Sequence, residues 1–572
     1  MAILGRASFE VQVYRDGRWA INQVMPTEEA ARQQATQLLT QKTTAGVRII
    51  KETKFSSSNV RESEIFRQMK EVEEKDDFAI TPVKDAPLCE KISDYYQTAA
   101  RNTMARLFSK YLEKHEMTPL ELLHSHKNLK RALNLDTMVP SAVDKIASLH
   151  ARATGEDARK RKDVIFEAVD RIAARAREAD TAQLPELKNS TLDELLKKID
   201  AKYQDEDERQ YMANVAFVRT SVNWSGWLGK MSEILPMAKT QQDERARAMI
   251  DEMLADILVG KTIIKDVIGV SKHLGDAVMR MLDLLEGKCK PTKFAVEELV
   301  ELLNYLFAND LLPRSRGVLI ERIGRDLGGA VRLTNSENKS DDKKLFDAIL
   351  DRVITDHGVV GGRVVALGLT ERWARMNNIG GSAGRKKSME GVRDKLTSGV
   401  QKFVYLLDMY DPEAPKDLQA TIEGQVRDLA AQLSSINKIA PHARTEKSRL
   451  QEAASIQRLV IDSRLRPEVR DPIANKFDDI VSDYIIAHGV IERLDDKRLP
   501  FRERATRLVT FCASGVLTVG RATTIARDSI ISYLRRKDFI TEFTSDIADP
   551  AGKEQAIKDF YILLAKTGFD VR

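Results

Sequence analysis

Between Phe9 and Ile21 apolar and polar positions alternate. Phe9, Val11 and Val13 interleave with Glu10, Gln12 and Tyr14, and after Asp16-Gly17 the alternation resumes at Trp19 and Ile21. Successive side chains of a strand point to opposite faces, and Asp-Gly accepts the positive φ of a tight turn, so the pattern predicts a β-hairpin. From Glu28 to Gln41 the period changes. Ala30, Ala31, Ala35, Leu38 and Leu39 form one helical stripe, with Thr27 as the cap and acidic residues in the first turn. Val47 to Lys51 is rich in β-branched residues and predicts a strand, and Arg61 to Arg67 is a candidate return strand after the Ser56-Ser57-Ser58-Asn59 turn. Residues 1–69 are therefore predicted as a small ββαβ module. The charged and proline-marked stretch 70–87, with Pro82 and Pro87, is predicted as a linker.

From Leu88 onward the helical period dominates, as in Leu107, Tyr111 and Leu112, or in Val164, Ile165, Ala168, Val169 and Ile172. Turn-rich breaks fall at Thr334–Asp342 and Tyr410–Pro415. Together with a repeat unit that begins near Ile250, they divide the body into a helical domain at 88–240, helical units at 241–335 and 343–410, and a final helical region at 416–572. The fold class predicted is mainly α, with a small N-terminal module and an elongated multi-helical body.

That body repeats itself. The stretch Phe346-Asp347-Ala348-Ile349, running on to His357-Gly358-Val359, recurs 131 residues later as Phe477-Asp478-Asp479-Ile480 and His488-Gly489-Val490. A more diverged copy begins at Ile250-Asp251-Glu252-Met253, and its Asp256, Ile263 and Ile264 precede Asp483, Val490 and Ile491 by 227 residues. Further on, Leu303, Ala308, Leu312, Arg316, Ile320 and Arg322 match Leu508, Ala513, Leu517, Arg521, Ile525 and Arg527 at 205. The two offsets differ by 22 residues, which predicts a loop or turn of changed length between the paired helices. Helical units that cannot bury their apolar faces alone bury them against similar neighbours, and the stacking creates partner-binding surfaces.

Composition narrows the function classes. With 572 residues the chain is long enough for three or four cores at roughly 150 residues each. A formal charge of +5, from 91 basic and 86 acidic side chains, gives no global field toward nucleic acid or anionic lipid. Cys89, Cys289 and Cys512 lie far apart and outside any Cys-x-x-Cys spacing, which argues against a disulfide framework or a zinc knuckle. No secretory signal opens the chain, and no run of about eighteen apolar residues suggests a membrane span. A cytoplasmic location is expected.

Candidate chemistry is weak throughout. His357 and His488, each before a glycine, suit helix C-termini, where a cation complements the dipole and glycine supplies the left-handed residue. Gly260-Lys261 stands at the same place in the first copy. The His124-Ser125-His126 spacing puts its two rings on diverging faces of a helix, which disfavours a metal site. Gly380-Gly381-Ser382-Ala383-Gly384-Arg385-Lys386-Lys387-Ser388 and Gly260-Lys261-Thr262 have the residue types of a phosphate cradle without its spacing, and a basic loop before a helix is expected for the first. Basic clusters at Arg159-Lys160-Arg161-Lys162, Arg385-Lys386-Lys387 and Arg535-Arg536-Lys537 are candidate phosphate or nucleic-acid contacts. Trp224 and Trp227 are candidates for an exposed protein-binding anchor, against core packing at a helix junction.

No catalytic residue, metal ligand or cofactor is assigned. The expected function is a non-enzymatic scaffold or adaptor that binds protein partners, with the N-terminal module available for self-association. The alternatives are a nucleic-acid-associated regulator that uses the basic clusters, and an enzyme with a pocket between units.

Overall fold

The computed structural model describes residues 6–15, 18–40, 46–56, 59–69, 78–187, 191–291 and 296–569. The chain divides into two compact units, Met1–Ala79 and Ile80–Arg572. In the first, β1 (Arg6–Arg15), β2 (Arg18–Met25), α1 (Glu28–Thr40), β3 (Gly46–Ser56) and β4 (Asn59–Met69) form a four-stranded antiparallel sheet of order β2-β1-β3-β4. The candidate return strand is thus a full partner of β3, and the module is ββαββ. The two turns at Asp16-Gly17 and Ser57-Ser58 lie outside the described residues. Phe9, Val11, Val13, Val47 and Ile49 point to one face, as their alternation requires, and bury themselves against Ala31, Ala35 and Leu38 of α1.

Among the described residues the second unit is helical apart from one hairpin of two-residue strands. Its apolar residues join in one core that runs from Leu120 to Leu564, with two small clusters around Val83–Leu107–Ala142 and Val143–Ala147–Ile165. The core is continuous across positions 240, 335 and 410, the bounds of the helical units read from the sequence. Glycines let one repeat close on the next at such a junction: a Cβ on Gly368 would collide with the carbonyl of Gly324. Among the helices, those labelled in chain order are α2 (Ala158–Asp180), α3 (Gly226–Thr240), α4 (Glu244–Leu258), α5 (Lys261–Ile268), α6 (Leu274–Leu285), α7 (Glu297–Ala308) and α8 (Pro313–Gly328). They continue with α9 (Lys339–Val353), α10 (Arg363–Met376), α11 (Gly381–Arg393), α12 (Glu446–Ile461), α13 (Pro467–Ala487), α14 (Val490–Leu494), α15 (Phe501–Ala513) and α16 (Arg521–Leu534).

The first and third repeats share a helix order. Helices α4, α5, α7 and α8 correspond to α13, α14, α15 and α16 at the offsets read from the sequence. The 22-residue difference is no loop adjustment: the first repeat contains an additional helix, α6, whose Val278, Met281, Leu282 and Leu285 enter the core. One buried device is common to both. Asp251 on α4 accepts the amides of Arg314 and Ser315 at 2.7 and 3.0 Å and the Ser315 hydroxyl at 2.6 Å, capping α8. Asp478 on α13 accepts the amides of Arg521 and Ala522 and the Thr518 hydroxyl, capping α16. A carboxylate at a helix N-terminus satisfies orphan N–H groups and complements the dipole.

The second repeat departs from this plan. Asp347, at the matching position, is partly exposed and pairs with Lys395 at 2.6 Å. After α9 the chain forms the hairpin β5 (Ile354–Thr355) and β6 (Gly358–Val359), so His357 lies exposed in its turn and caps no helix. The β-branched Ile354 and Thr355 leave the helix early, and Gly358 at φ 126° turns the chain back against Val404. His488 does end a helix, with Nδ1 3.0 Å from the Tyr484 carbonyl and Gly489 left-handed behind it. Gly260 sits at the N-terminus of α5 with φ −59° and supplies no left-handed residue.

Candidate functional site

The structure disperses the basic clusters. Arg161 on α2 is buried, bonded to the Cys89 carbonyl at 2.6 Å and to His150 Nδ1 at 3.2 Å, and Lys162 pairs with Asp144. Only Arg159 and Lys160 of that run are exposed. Arg385 lies 3.6 Å from Asp411, while Lys386 and Lys387 face solvent. Arg536 stacks over Phe501 and Tyr533 and pairs with Glu542 at 3.0 Å, leaving Arg535 and Lys537 exposed.

The glycine-bearing segments are occupied by the fold itself. Gly381 to Ser388 forms the first turns of α11, where a basic loop was expected, and the Ser388 hydroxyl is buried and donates to the Gly384 carbonyl. At the start of α5 the Lys261 amide already donates to a Glu113 carboxylate at 3.1 Å. Trp227 is core: it is buried, with the ammonium of Lys230 5.1 Å from its ring centre, and Lys230 is itself paired with the buried Glu121 at 2.6 Å. Trp224 is half-buried and meets Phe217 edge-on, so the two tryptophans form no exposed pair. His124 is fully enclosed, with Nδ1 on the Leu120 carbonyl, and burial pushes its imidazole down to about 3. Among the described residues no group of three or more His, Cys, Asp or Glu side chains is placed to hold a metal. In the same residues no helix is long and apolar enough to cross a membrane.

What the sequence reading missed is a cleft of about 640 Å³ between α12, α14 and α15. Its floor is apolar, formed by Leu450, Val490, Leu494 and Phe511. The rim is charged and organised: Arg493 clamps both oxygens of Glu446 at 2.6 and 2.7 Å, Arg502 holds Asp546 at 2.7 Å, and Arg507 reaches Glu503 at 2.6 Å. Arg502 keeps the Asp546 carboxyl below the usual carboxylate range. Three lining groups have no such partner among the described residues. Among the described residues the Thr506 and Thr510 hydroxyls accept and donate no hydrogen bond, and the Lys447 ammonium has no ion pair. The spacing of 506 and 510 is one helical turn, so both hydroxyls line the same face of α15.

The first repeat shows why this cleft is open. There α7 packs directly on α3, with Leu306 fully buried, Leu302 packed on the core and the Lys239 ammonium 5.0 Å from the Tyr305 ring centre. The positions of Leu302, Tyr305 and Leu306 are filled in α15 by Arg507, Thr510 and Phe511. Replacing a leucine and a tyrosine by an arginine and a threonine removes the apolar contact that would draw the helices together. The signal was present in the aligned copies, at positions beside the ones that match. No protein-family model, curated protein or solved structure matches this chain.

Proposed function

We propose that this chain is a non-enzymatic helical scaffold that docks a segment of a partner protein in the cleft between α12, α14 and α15. The segment has apolar side chains for the floor and a carboxylate for Lys447. One observation carries the reading: the contact that is closed in the first repeat is open in the third, and its lining offers an unpaired cation and two unused hydroxyls. A volume of a few hundred Å³ with an apolar floor and a few convergent polar groups is the usual make-up of a recognition site. The carboxylates of the rim, Glu446, Glu503 and Asp546, are each held by an arginine, which suits a fixed binding frame better than proton exchange. A nucleic-acid role would draw instead on the dispersed exposed pairs Arg159–Lys160, Lys386–Lys387 and Arg535–Lys537.

The test is site-specific photocrosslinking in the producing cell. A photoreactive residue at Thr506 is expected to trap one protein as a discrete adduct, and the same residue at the matching Glu301 of α7 is expected to trap none. Equal adducts at both positions, or none at Thr506, contradict the proposal. Trapping of nucleic acid at Thr506 favours the regulator reading.

A further inference from the structure

Threonines inside the helices of this chain turn their hydroxyls back on their own helix. Thr103, Thr220, Thr370, Thr421 and Thr524 each donate to the carbonyl four residues earlier, at 2.7 to 3.3 Å. That bond uses the single donor of a hydroxyl. Thr506 and Thr510 of α15 depart from the habit. Among the described residues neither bonds the carbonyl behind it, and both line the cleft. Ser514, at the end of the same stripe, is already bonded to the Phe511 carbonyl at 2.7 Å.

Four residues of helix advance about 6 Å. In an extended chain the N–H and C=O groups of residues i and i+2 point to the same side, about 6.6–6.8 Å apart. The two hydroxyls therefore match the repeat of an extended backbone laid along α15, each accepting from an N–H and donating to a C=O. A helix in the same place has its interior N–H and C=O groups bonded within itself and offers the hydroxyls only side chains. The stripe of α15 that lines the cleft runs from Arg502 to Ser514, about 18 Å. Successive side chains of an extended segment alternate between two faces, so every second one falls on the floor of Leu450, Val490, Leu494 and Phe511. Arg493, Arg502 and Arg507 are each held by a carboxylate of the rim, which leaves Lys447 as the lining cation for an acidic side chain.

We infer that the docked partner is an extended segment of about five or six residues, held through its backbone by Thr506 and Thr510, with large apolar side chains at alternate positions and an acidic one for Lys447. This rests on docking in the cleft and adds how the partner is read: main-chain bonds supply affinity, and the floor selects alternate side chains.

The test screens the full chain against two libraries of short random peptides, one linear and one locked as helices by a side-chain crosslink. A binder counts as cleft-dependent when Arg507→Leu/Thr510→Tyr abolishes its binding. Cleft-dependent binders are expected from the linear library, with large apolar residues at every second position and an aspartate or glutamate among them. Thr506→Val/Thr510→Val keeps the shape of both side chains and is expected to weaken those binders about tenfold, as the loss of two hydrogen bonds would, with the thermal transition unmoved. N-methyl groups on one alternate set of a binder's amides are expected to abolish binding, and on the other set to be tolerated. Binders from the helical library alone, apolar residues spaced by three and four, or an affinity indifferent to Thr506→Val/Thr510→Val overturns the extended mode and leaves docking in place. No cleft-dependent binder from either library contradicts docking itself, and the extended mode with it.

Discussion

The first and third repeats have the same internal frame and opposite exteriors. In both, a buried aspartate on one helix caps a helix that lies more than forty residues further along. Around that frame the first repeat adds α6 and closes α3 on α7, while the third has no helix equivalent to α6 and leaves α12 and α15 apart around the cleft. The difference teaches that the frame is set by a few buried polar bonds, and that the surface between helices changes with two or three side chains.

The comparison breaks most sharply at Asp256 and Asp483, which hold the same position in α4 and α13. Asp256 is buried and bonds the Nε of the equally buried Arg101 and the Leu120 amide, whereas Asp483 is exposed and touches Arg521 at 3.0 Å. Asp256→Asn removes one of the two carboxylates that pair with the buried Arg101, leaving Glu252 at 3.5 Å, and is expected to cost the lower end of about 3–5 kcal/mol in urea unfolding. Asp483→Asn is expected to cost less than about 0.5 kcal/mol. Equal losses would erase the distinction between the two repeats.

Next come the shared caps. Asp251→Ala and Asp478→Ala each strand buried amides at a helix start, and each is expected to cost about 2–4 kcal/mol. Asp347→Ala removes a half-exposed pair and is expected to cost under about 1 kcal/mol. A loss at Asp347 as large as the other two would show that the second repeat keeps the frame as well.

The buried interior N-terminal to the first repeat has a pH signature. An unfolded chain protonates His124 near the ordinary 6.5, while the fold refuses the proton until about 3, so stability present above pH 6.5 is lost as pH falls through that window. Asp256, raised to about 6 by burial, acts in the opposite direction below that pH. The readout is therefore the difference between wild type and His124→Phe, expected to shift in favour of the variant by about 1.4 kcal/mol for each unit below 6.5. A pH-independent difference would contradict the enclosure of that ring.

The smallest effect on stability belongs to the cleft. Arg507→Leu/Thr510→Tyr installs the residues of the first repeat, and unfolding is expected to move by no more than about 0.5 kcal/mol, because these positions face solvent. A large loss would show that the rim arginine supports the fold.

Much of the frame was legible in sequence. Alternation placed three strands, the helical period placed the module's helix, and the aspartate kept at 251 and 478 stands on the helices that carry the cap, whereas its counterpart at 347 caps none. Its bonding role was hidden, because the amides it holds lie 43 or more residues away in sequence. The same distance hid Arg161, whose acceptor at Cys89 comes from a remote segment and turns an apparent surface charge into an interior one. The β5–β6 hairpin is too short to leave a period, and α6 passed for a change in loop length because the offset records how many residues were added and not their shape. The cleft escaped for a related reason. Matching residues reveal what two copies share, and the site lies where they differ.

Co-purification of the full chain with and without Arg507→Leu/Thr510→Tyr tests the central claim most directly. Wild type is expected to bring down one protein in near-stoichiometric amount, identified by mass spectrometry, and the filled-cleft variant, equally folded, is expected to lose it. The same partner retained by both forms, or no partner with either, contradicts docking in the cleft.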